Sequence, residues 1–237
     1  MKKKWTQNLL LPISVSLLLT GCYNEPGLIE DDSHARTVTG VAAGALAGSL
    51  IGYNTGHHHS KNALIGGLLG AAAGGFVGYS LDKQANEIAM ALGTGVNNDP
   101  LAVLDPNNTI VVSKHPNYVK IMFRDEMMFP TDSDQLRPHA RNKVNKVAQL
   151  LQNYPQTVVS VAGFTDNRGS YEYNLKLSEK RANTVAKILA VNSYPSTRGC
   201  SYNKPLAPNT NLANQALNRR VEVYLYASEA AMIDPCL

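Results

Sequence analysis

The sequence has few of the features that nucleic-acid binding and catalysis require. Aromatic residues make up 7% of the 237 residues and charged residues 17%. So few aromatic side chains offer few surfaces for base stacking, and the cationic side chains form no basic stripe. No Ser or Cys is paired with a His in a catalytic pattern, and no spacing of His, Cys, Asp and Glu is typical of a metal site. We therefore expect neither nucleic-acid binding nor enzymatic activity, and no metal or other cofactor.

The amino terminus lacks an apolar run long enough to cross a bilayer. The run at residues 9–19 is about 11 residues long, whereas a transmembrane helix needs about 20. Three lysines precede it and Leu-Thr-Gly-Cys, ending at Cys22, follows it. This arrangement predicts a lipoprotein signal peptide at residues 1–21 and resembles a bacterial lipobox, in which Cys22 is diacylated and becomes the first mature residue. An ordinary secretory signal with a chance cysteine is the alternative.

Several consequences follow from a cleaved signal peptide. Its removal takes away three lysines and no acid, which lowers the formal net charge from +4 to +1. Tyr23, rather than Asp, after the lipidated cysteine favours sorting to the outer membrane, where two acyl chains make a stable anchor on the periplasmic side. Cysteine is otherwise scarce, since Cys200 and Cys236 are the only others. A disulfide between them suits an oxidising compartment, although the sequence does not give its geometry.

Glycine, by contrast, is concentrated in one segment. It recurs at every fourth position in two runs, Gly40, Gly44, Gly48, Gly52, Gly56 and Gly66, Gly70, Gly74, Gly78. Each glycine costs a helix about 1 kcal/mol relative to alanine, so the spacing must serve close helix packing. We predict a tether at residues 22–37, a glycine-zipper helical hairpin at residues 38–92 and a linker at residues 93–107.

The hairpin has two open interpretations. It associates with a membrane, or it packs in a homo-oligomer or envelope complex whose other subunits cover its apolar faces. Three consecutive histidines at residues 57–59 fall in its predicted loop. Consecutive residues of a loop cannot all point at one ion, so we interpret them as a solvated turn.

A pair of oppositely charged residues stands out in the carboxy-terminal half. A β-branched run at residues 158–164 predicts a strand, the turn that follows contains Asp166, and a helix begins near residue 170. Asn174 and Arg181 are seven residues apart and so project from one face of this helix. An acid and a guanidinium on neighbouring elements suit a zwitterionic ligand, with Arg181 holding its carboxylate through a bidentate pair and Asp166 its ammonium. The alternative is structural, with Asp166 capping the helix and pairing with Arg181.

The residues around this pair follow the pattern G-x-T-D-x-x-G-x-x-x-x-N-x-x-L-S-x-x-R-A in residues 163–182, and N-R-R-V-E follows at residues 218–222. The pattern resembles the OmpA-like peptidoglycan-binding domain, here over residues 108–227, with residues 228–237 as a tail. The resemblance implies an α+β fold, a βαβαβ sandwich that binds the diaminopimelate of the peptidoglycan stem peptide without covalent chemistry. By motif position the ligand contacts would be Asp166 and Arg181, supported by Thr165, Asn174 and Arg219.

The sequence departs from the family pattern at two places. Pro130 stands where the family has an acid after the residue aligned with Phe129, and the segment before Pro205 is about four residues short. We therefore expect a short strand or none before Pro205.

Other elements follow from local periodicity. Alternation at residues 109–112 and 118–123 predicts two strands joined by a hairpin around residues 116–117. The apolar residues of 80–92, and those that follow Pro138, recur at a helical period, so each stretch predicts a helix. The last strand alternates apolar and polar residues from residue 221, which predicts one buried face.

Two functions fit these patterns. The first is a lipid-anchored envelope protein that links the outer membrane to the cell wall. The second is a structural lipoprotein subunit of an envelope-spanning assembly, such as a secretion system, in which wall binding only fixes position.

Overall fold

A computed structural model of the protein describes residue 45 and residues 80–237. The predicted lipidation site at Cys22, the predicted tether and most of the predicted glycine-zipper hairpin lie outside the described residues. No helix among the described residues is long and apolar enough to cross a membrane.

A five-stranded sheet forms the centre of the described structure. Its strands are β1 (Ile110–His115), β2 (Tyr118–Arg124), β3 (Val158–Phe164), β4 (Ser196–Gly199) and β5 (Arg220–Tyr226), in the order β1-β2-β5-β3-β4. β3 and β4 are parallel, and the other neighbouring pairs are antiparallel. The predicted hairpin around residues 116–117 is confirmed by the pairing of β1 with β2, and β4, at four residues, is short as expected.

The described residues also form α-helices. They are α1 (described over residues 80–92), α2 (Asp125–Met128), α3 (Pro138–Leu151), α4 (Tyr171–Leu189) and α5 (Leu212–Asn218). Pro138 suits the first turn of α3, where its missing N–H would have had no helical partner. Ser170 caps α4, because its hydroxyl accepts a hydrogen bond from the Tyr173 backbone N at 3.2 Å. The predicted α+β fold is confirmed.

Helices α1, α3 and α4 share one apolar core with the sheet. On α1, Leu81, Ala85, Ile88 and Leu92 are buried in the same cluster as core residues of β1, α3 and β5. The side-chain amines of Lys143 and Lys146 donate to the last carbonyls of α1, those of Leu92 and Ala91. These contacts satisfy carbonyls that have no partner within the helix.

The segment after α1 is also tied to the sheet. Val96 bridges to Val112 of β1, and the backbone N of Asn97 donates to the Val112 carbonyl at 2.8 Å. The sequence assigned residues 80–92 to the hairpin and residues 93–107 to a linker. In the structure both segments pack with the carboxy-terminal domain, because α1 has an apolar face that α3 and the sheet can bury.

The prediction that β5 buries only one face is wrong, since all seven of its residues are buried. β5 is the third of five strands, and its second face packs with Ala162 and Phe164 beneath the carboxy-terminal tail. A disulfide between Cys200 and Cys236 holds that tail, with 5.2 Å between their Cα atoms. The polar residues of β5 are paired instead of solvated: the Arg220 Nε donates to Glu222 at 2.7 Å.

Candidate ligand-binding site

A cleft of about 610 Å³ opens where β2 and β3 end beside α4. All five ligand-binding residues predicted from the sequence line it, namely Thr165, Asp166, Asn174, Arg181 and Arg219. Two glycines shape this region. A Cβ on Gly163 would lie 2.1 Å from the Ser178 carbonyl oxygen, so a glycine lets β3 approach α4 closely. Gly169 has a φ of 86°, which a residue with a side chain rarely adopts.

Asp166 is held by two arginines. The whole residue is only 3% exposed. The Arg219 Nη1 donates to its Oδ2 at 2.8 Å, the Arg168 Nε donates to the same oxygen at 3.0 Å, and the Arg168 backbone N donates to its Oδ1 at 3.0 Å. Burial raises the pKa of Asp166, but these hydrogen bonds outweigh it and bring that pKa below its ordinary value. The group is therefore an anion at neutral pH.

Arg181 is buried and held by a different set of groups. Its Nη1 lies 3.0 Å from Asp125 Oδ1, its Nε donates to the Ser133 carbonyl at 2.9 Å, and its guanidinium stacks over the Phe129 ring at 5.1 Å. Its Nη2 has no hydrogen-bond partner among the residues that the structure describes. The bidentate grip expected from the sequence would use two free nitrogens, whereas this arrangement leaves a ligand one.

Asp166 and Arg181 line the same cleft without pairing with each other. The structural alternative drawn from the sequence is therefore wrong in both of its parts: Asp166 pairs with Arg168 and Arg219, and Ser170, not Asp166, caps α4. Each of the two charged groups has one side turned to the cleft, where a ligand can reach it.

Asn174 and Thr165 complete the predicted set. The Asn174 Nδ2 donates to the Arg168 carbonyl at 2.7 Å, which fixes the turn that carries Asp166. The Thr165 Oγ1 is buried and has no hydrogen-bond partner among the residues that the structure describes. A buried hydroxyl without a partner costs about 1–3 kcal/mol, and this one lines the cleft, so a bound ligand can supply the missing bond.

Two acidic residues of the cleft were missed by the sequence analysis. Asp125 and Glu126 follow β2 directly, and both contact Arg219: Asp125 Oδ2 lies 3.9 Å from its Nε and Glu126 Oε1 lies 3.0 Å from its Nη2. Burial raises the pKa of Asp125, although Arg181 and Arg219 act against it. Two adjacent acidic residues at the end of a predicted strand were the signal that could have identified them. They supply negative charge near Pro130, which stands where the family has an acid.

Within residues 80–237, no group of three or more His, Cys, Asp or Glu side chains is placed to hold a metal ion. The cleft is instead a set of alternating carboxylates and guanidinium groups. Such a surface suits hydrogen bonding to a polar ligand that carries both charges.

Comparison with known proteins identifies the family. The OmpA family model matches residues 128–219, and the YMGG-like Gly-zipper model matches residues 1–82. The probable lipoprotein YiaD of Escherichia coli is 32% identical over 220 residues, which is 90% of this chain and 94% of that protein. This chain belongs to the OmpA family. The glycine-zipper prediction and the OmpA-like resemblance are both confirmed.

Other known proteins match shorter stretches of the chain. The outer-membrane lipoprotein YfiB of Pseudomonas aeruginosa is 36% identical over 106 residues, covering 43% of this chain and 63% of that protein. The peptidoglycan-associated lipoprotein of Brucella suis is 39% identical over 74 residues, covering 31% of this chain and 44% of that protein. Among solved structures, the cell wall anchor of the T6SS from Pseudomonas aeruginosa is similar, with 25% identity, a TM-score of 0.48, and coverage of 61% of this chain and 99% of that chain.

Proposed function

We propose that the protein binds peptidoglycan through this cleft, without catalysing a reaction on it. The ligand group is the diaminopimelate of the stem peptide, with Asp166 accepting from its ammonium and Arg181 donating to its carboxylate. One observation carries the proposal: a buried carboxylate and a buried guanidinium face the same cleft and are not paired with each other. The unpartnered hydroxyl of Thr165 supplies a further bond to the ligand.

The charge of the cleft supports a zwitterionic ligand. Three carboxylates, those of Asp125, Glu126 and Asp166, are interleaved with the guanidinium groups of Arg168, Arg181 and Arg219. Their formal charges cancel, so a group with one ammonium and one carboxylate binds without adding net charge to a partly buried site. The names of the relatives, lipoproteins and a peptidoglycan-associated protein, support the same assignment and include no enzyme among those reported above.

Co-sedimentation with purified peptidoglycan tests the proposal. Asp166→Asn and Arg181→Ala should each weaken binding about 10- to 150-fold, since each removes a charge-assisted bond of about 1.5–3 kcal/mol. Glu172→Gln and Lys187→Ala are the matched controls, because they remove one charge of each sign from exposed positions of α4. Folded Asp166→Asn and Arg181→Ala proteins that co-sediment like wild type would exclude this site.

We also propose that Cys22 is lipidated and anchors the protein to the outer membrane on its periplasmic side, which links that membrane to the wall. Cys22→Ser should keep residues 1–21, run larger on a gel and fail to incorporate labelled palmitate. Cys200→Ser is the control for the same substitution at another cysteine and should be processed normally. Normal processing of Cys22→Ser would contradict lipidation and support an ordinary secretory signal.

A second candidate function is that of a structural subunit of an envelope-spanning assembly. The match of residues 1–82 to the YMGG-like Gly-zipper model favours it, because glycine at every fourth position allows helices to pack closely. If the glycines form a packing face, Gly48→Leu should reduce crosslinked oligomer, while Ser49→Leu, one residue off that face, should not. Recovery of stoichiometric partner subunits in mild detergent would favour the assembly, and recovery of the protein with peptidoglycan alone would favour the simple link to the wall.

A further inference from the structure

The short helix α2 places a carboxylate where two elements of the cleft meet. Asp125 is the first residue of α2 and is buried. Its backbone N donates to the Arg219 carbonyl at 3.1 Å, and its carbonyl accepts from the Phe129 backbone N at 2.8 Å. These two hydrogen bonds fix the backbone of Asp125 and so limit the positions that its side chain can take.

That carboxylate contacts guanidinium groups from two separate elements. Asp125 Oδ1 lies 3.0 Å from Nη1 of Arg181 on α4, and Asp125 Oδ2 lies 3.9 Å from Nε of Arg219, which directly precedes β5. Both contacts are ion pairs, and the contact to Arg181 is much the closer of the two. Asp125 thus orients Arg181 strongly and Arg219 weakly.

The contact to Asp125 decides which part of Arg181 faces a ligand. Ser133 occupies the Nε and Asp125 occupies the Nη1, while the Phe129 ring covers one face of the guanidinium. The Nη2 is left for the ligand. A guanidinium with two free nitrogens would bind phosphate and other anions through two parallel bonds, but one free nitrogen beside a carboxylate does not.

We infer that Asp125 is a positioning residue that sets the specificity of the cleft: it presents one nitrogen of Arg181 and cancels its charge, so that the site takes zwitterionic, amino-acid-like groups and rejects phosphate-like anions. The inference deepens the proposed wall-binding function and rests on it. Asp125 acts by holding and neutralising Arg181.

The test compares Asp125→Asn with Glu172→Gln in the purified full-length protein. Asp125→Asn keeps the side-chain shape but removes the negative charge beside Nη1 of Arg181, which makes the net charge of the cleft more positive by one. We expect its binding to peptidoglycan to fall about 10-fold, because Arg181 is no longer held in position for the ligand carboxylate. We also expect inorganic phosphate, at constant ionic strength, to raise its melting temperature, while the wild type and Glu172→Gln do not respond. A purely structural role for Asp125 would not create a response to phosphate.

The outcomes separate the inference from the proposed function. A response of Asp125→Asn to phosphate with no wall binding by the wild type would reject the wall function and support the positioning role. Equal responses to phosphate by Asp125→Asn and Glu172→Gln would overturn the positioning role, even if the wild type binds the wall. Asp125→Glu, which keeps the charge, covers the case in which the amide variant fails to fold: it should bind peptidoglycan and ignore phosphate, and a response to phosphate would also overturn the inference.

Discussion

The side chain of Arg168 turns back onto Asp166, two residues earlier in the chain, and pairs with its carboxylate. Its Nε and Nη2 both lie 3.0 Å from Asp166 Oδ2. The Arg168 side chain is 57% exposed, whereas that of Asp166 is 5% exposed. A ligand ammonium that binds Asp166 must therefore compete with a cation that solvent already surrounds in part.

This competition predicts that Arg168→Ala binds peptidoglycan more tightly than the wild type. An exposed ion pair contributes at most about 1 kcal/mol, so the expected gain in affinity is about 2- to 5-fold. Co-sedimentation isotherms measure it, with Arg198→Ala as the control because Arg198 is another exposed arginine paired with an aspartate. A loss of affinity in Arg168→Ala would mean that Arg168 contacts the ligand.

The stability of the domain should depend on pH through Asp166. Burial raises the pKa of this group, but the hydrogen bonds from Arg219 and from the Arg168 backbone lower it further, so the folded state binds the proton less tightly than the unfolded chain. The stabilisation is complete above the unfolded pKa of about 4 and is lost as the pH falls through the folded pKa. Urea unfolding of the wild type and of Asp166→Asn should differ more at pH 7 than at about pH 3.

The pKa shift of Asp125 predicts the opposite dependence of the free energy of unfolding on pH. Burial raises the pKa of Asp125, with Arg181 and Arg219 only partly offsetting it, so its folded state binds the proton more tightly than the unfolded chain. The contribution of Asp125 to the free energy of unfolding should therefore fall as the pH rises above about 4. The same pH dependence of the stability change in Asp166→Asn and Asp125→Asn would contradict one of the two assignments.

The disulfide should stabilise the domain through the unfolded chain. It joins Cys200 and Cys236, which are 36 residues apart in sequence. Closing a loop of that length lowers the entropy of the unfolded state, which corresponds to about 3–4 kcal/mol of stability. Urea unfolding of the Cys200→Ser, Cys236→Ser double variant measures the loss, and an unchanged free energy of unfolding would show that the crosslink adds nothing to the packed tail.

The packing of α1 predicts that its mutations destabilise the carboxy-terminal domain. Ile88 is 1% exposed in the core, so Ile88→Ala should lower the free energy of unfolding by about 2–5 kcal/mol. Met90, two residues later on the same helix, is 77% exposed, and Met90→Ala should have little effect. Near-UV circular dichroism during urea unfolding reports on the domain core. If Ile88→Ala unfolds like Met90→Ala, α1 does not contribute to that core.

The sequence determined the features that depend on local patterns. The helical period of α3, the turn between β1 and β2, and the strand, turn and helix that carry Asp166 and Arg181 are all set by residues close in sequence. The five predicted binding residues also meet in one cleft. A strand followed by a tight turn and a helix leaves few ways to arrange them.

Only the tertiary structure decided which groups pair. Arg181 is held by Asp125, which is 56 positions away in the chain, and no local period relates two residues so distant. The burial of both faces of β5 likewise depends on a tail that a disulfide brings back over the sheet. The apolar period of α1 predicted a helix but not its partner, because an apolar face gains the same free energy from any surface that buries it.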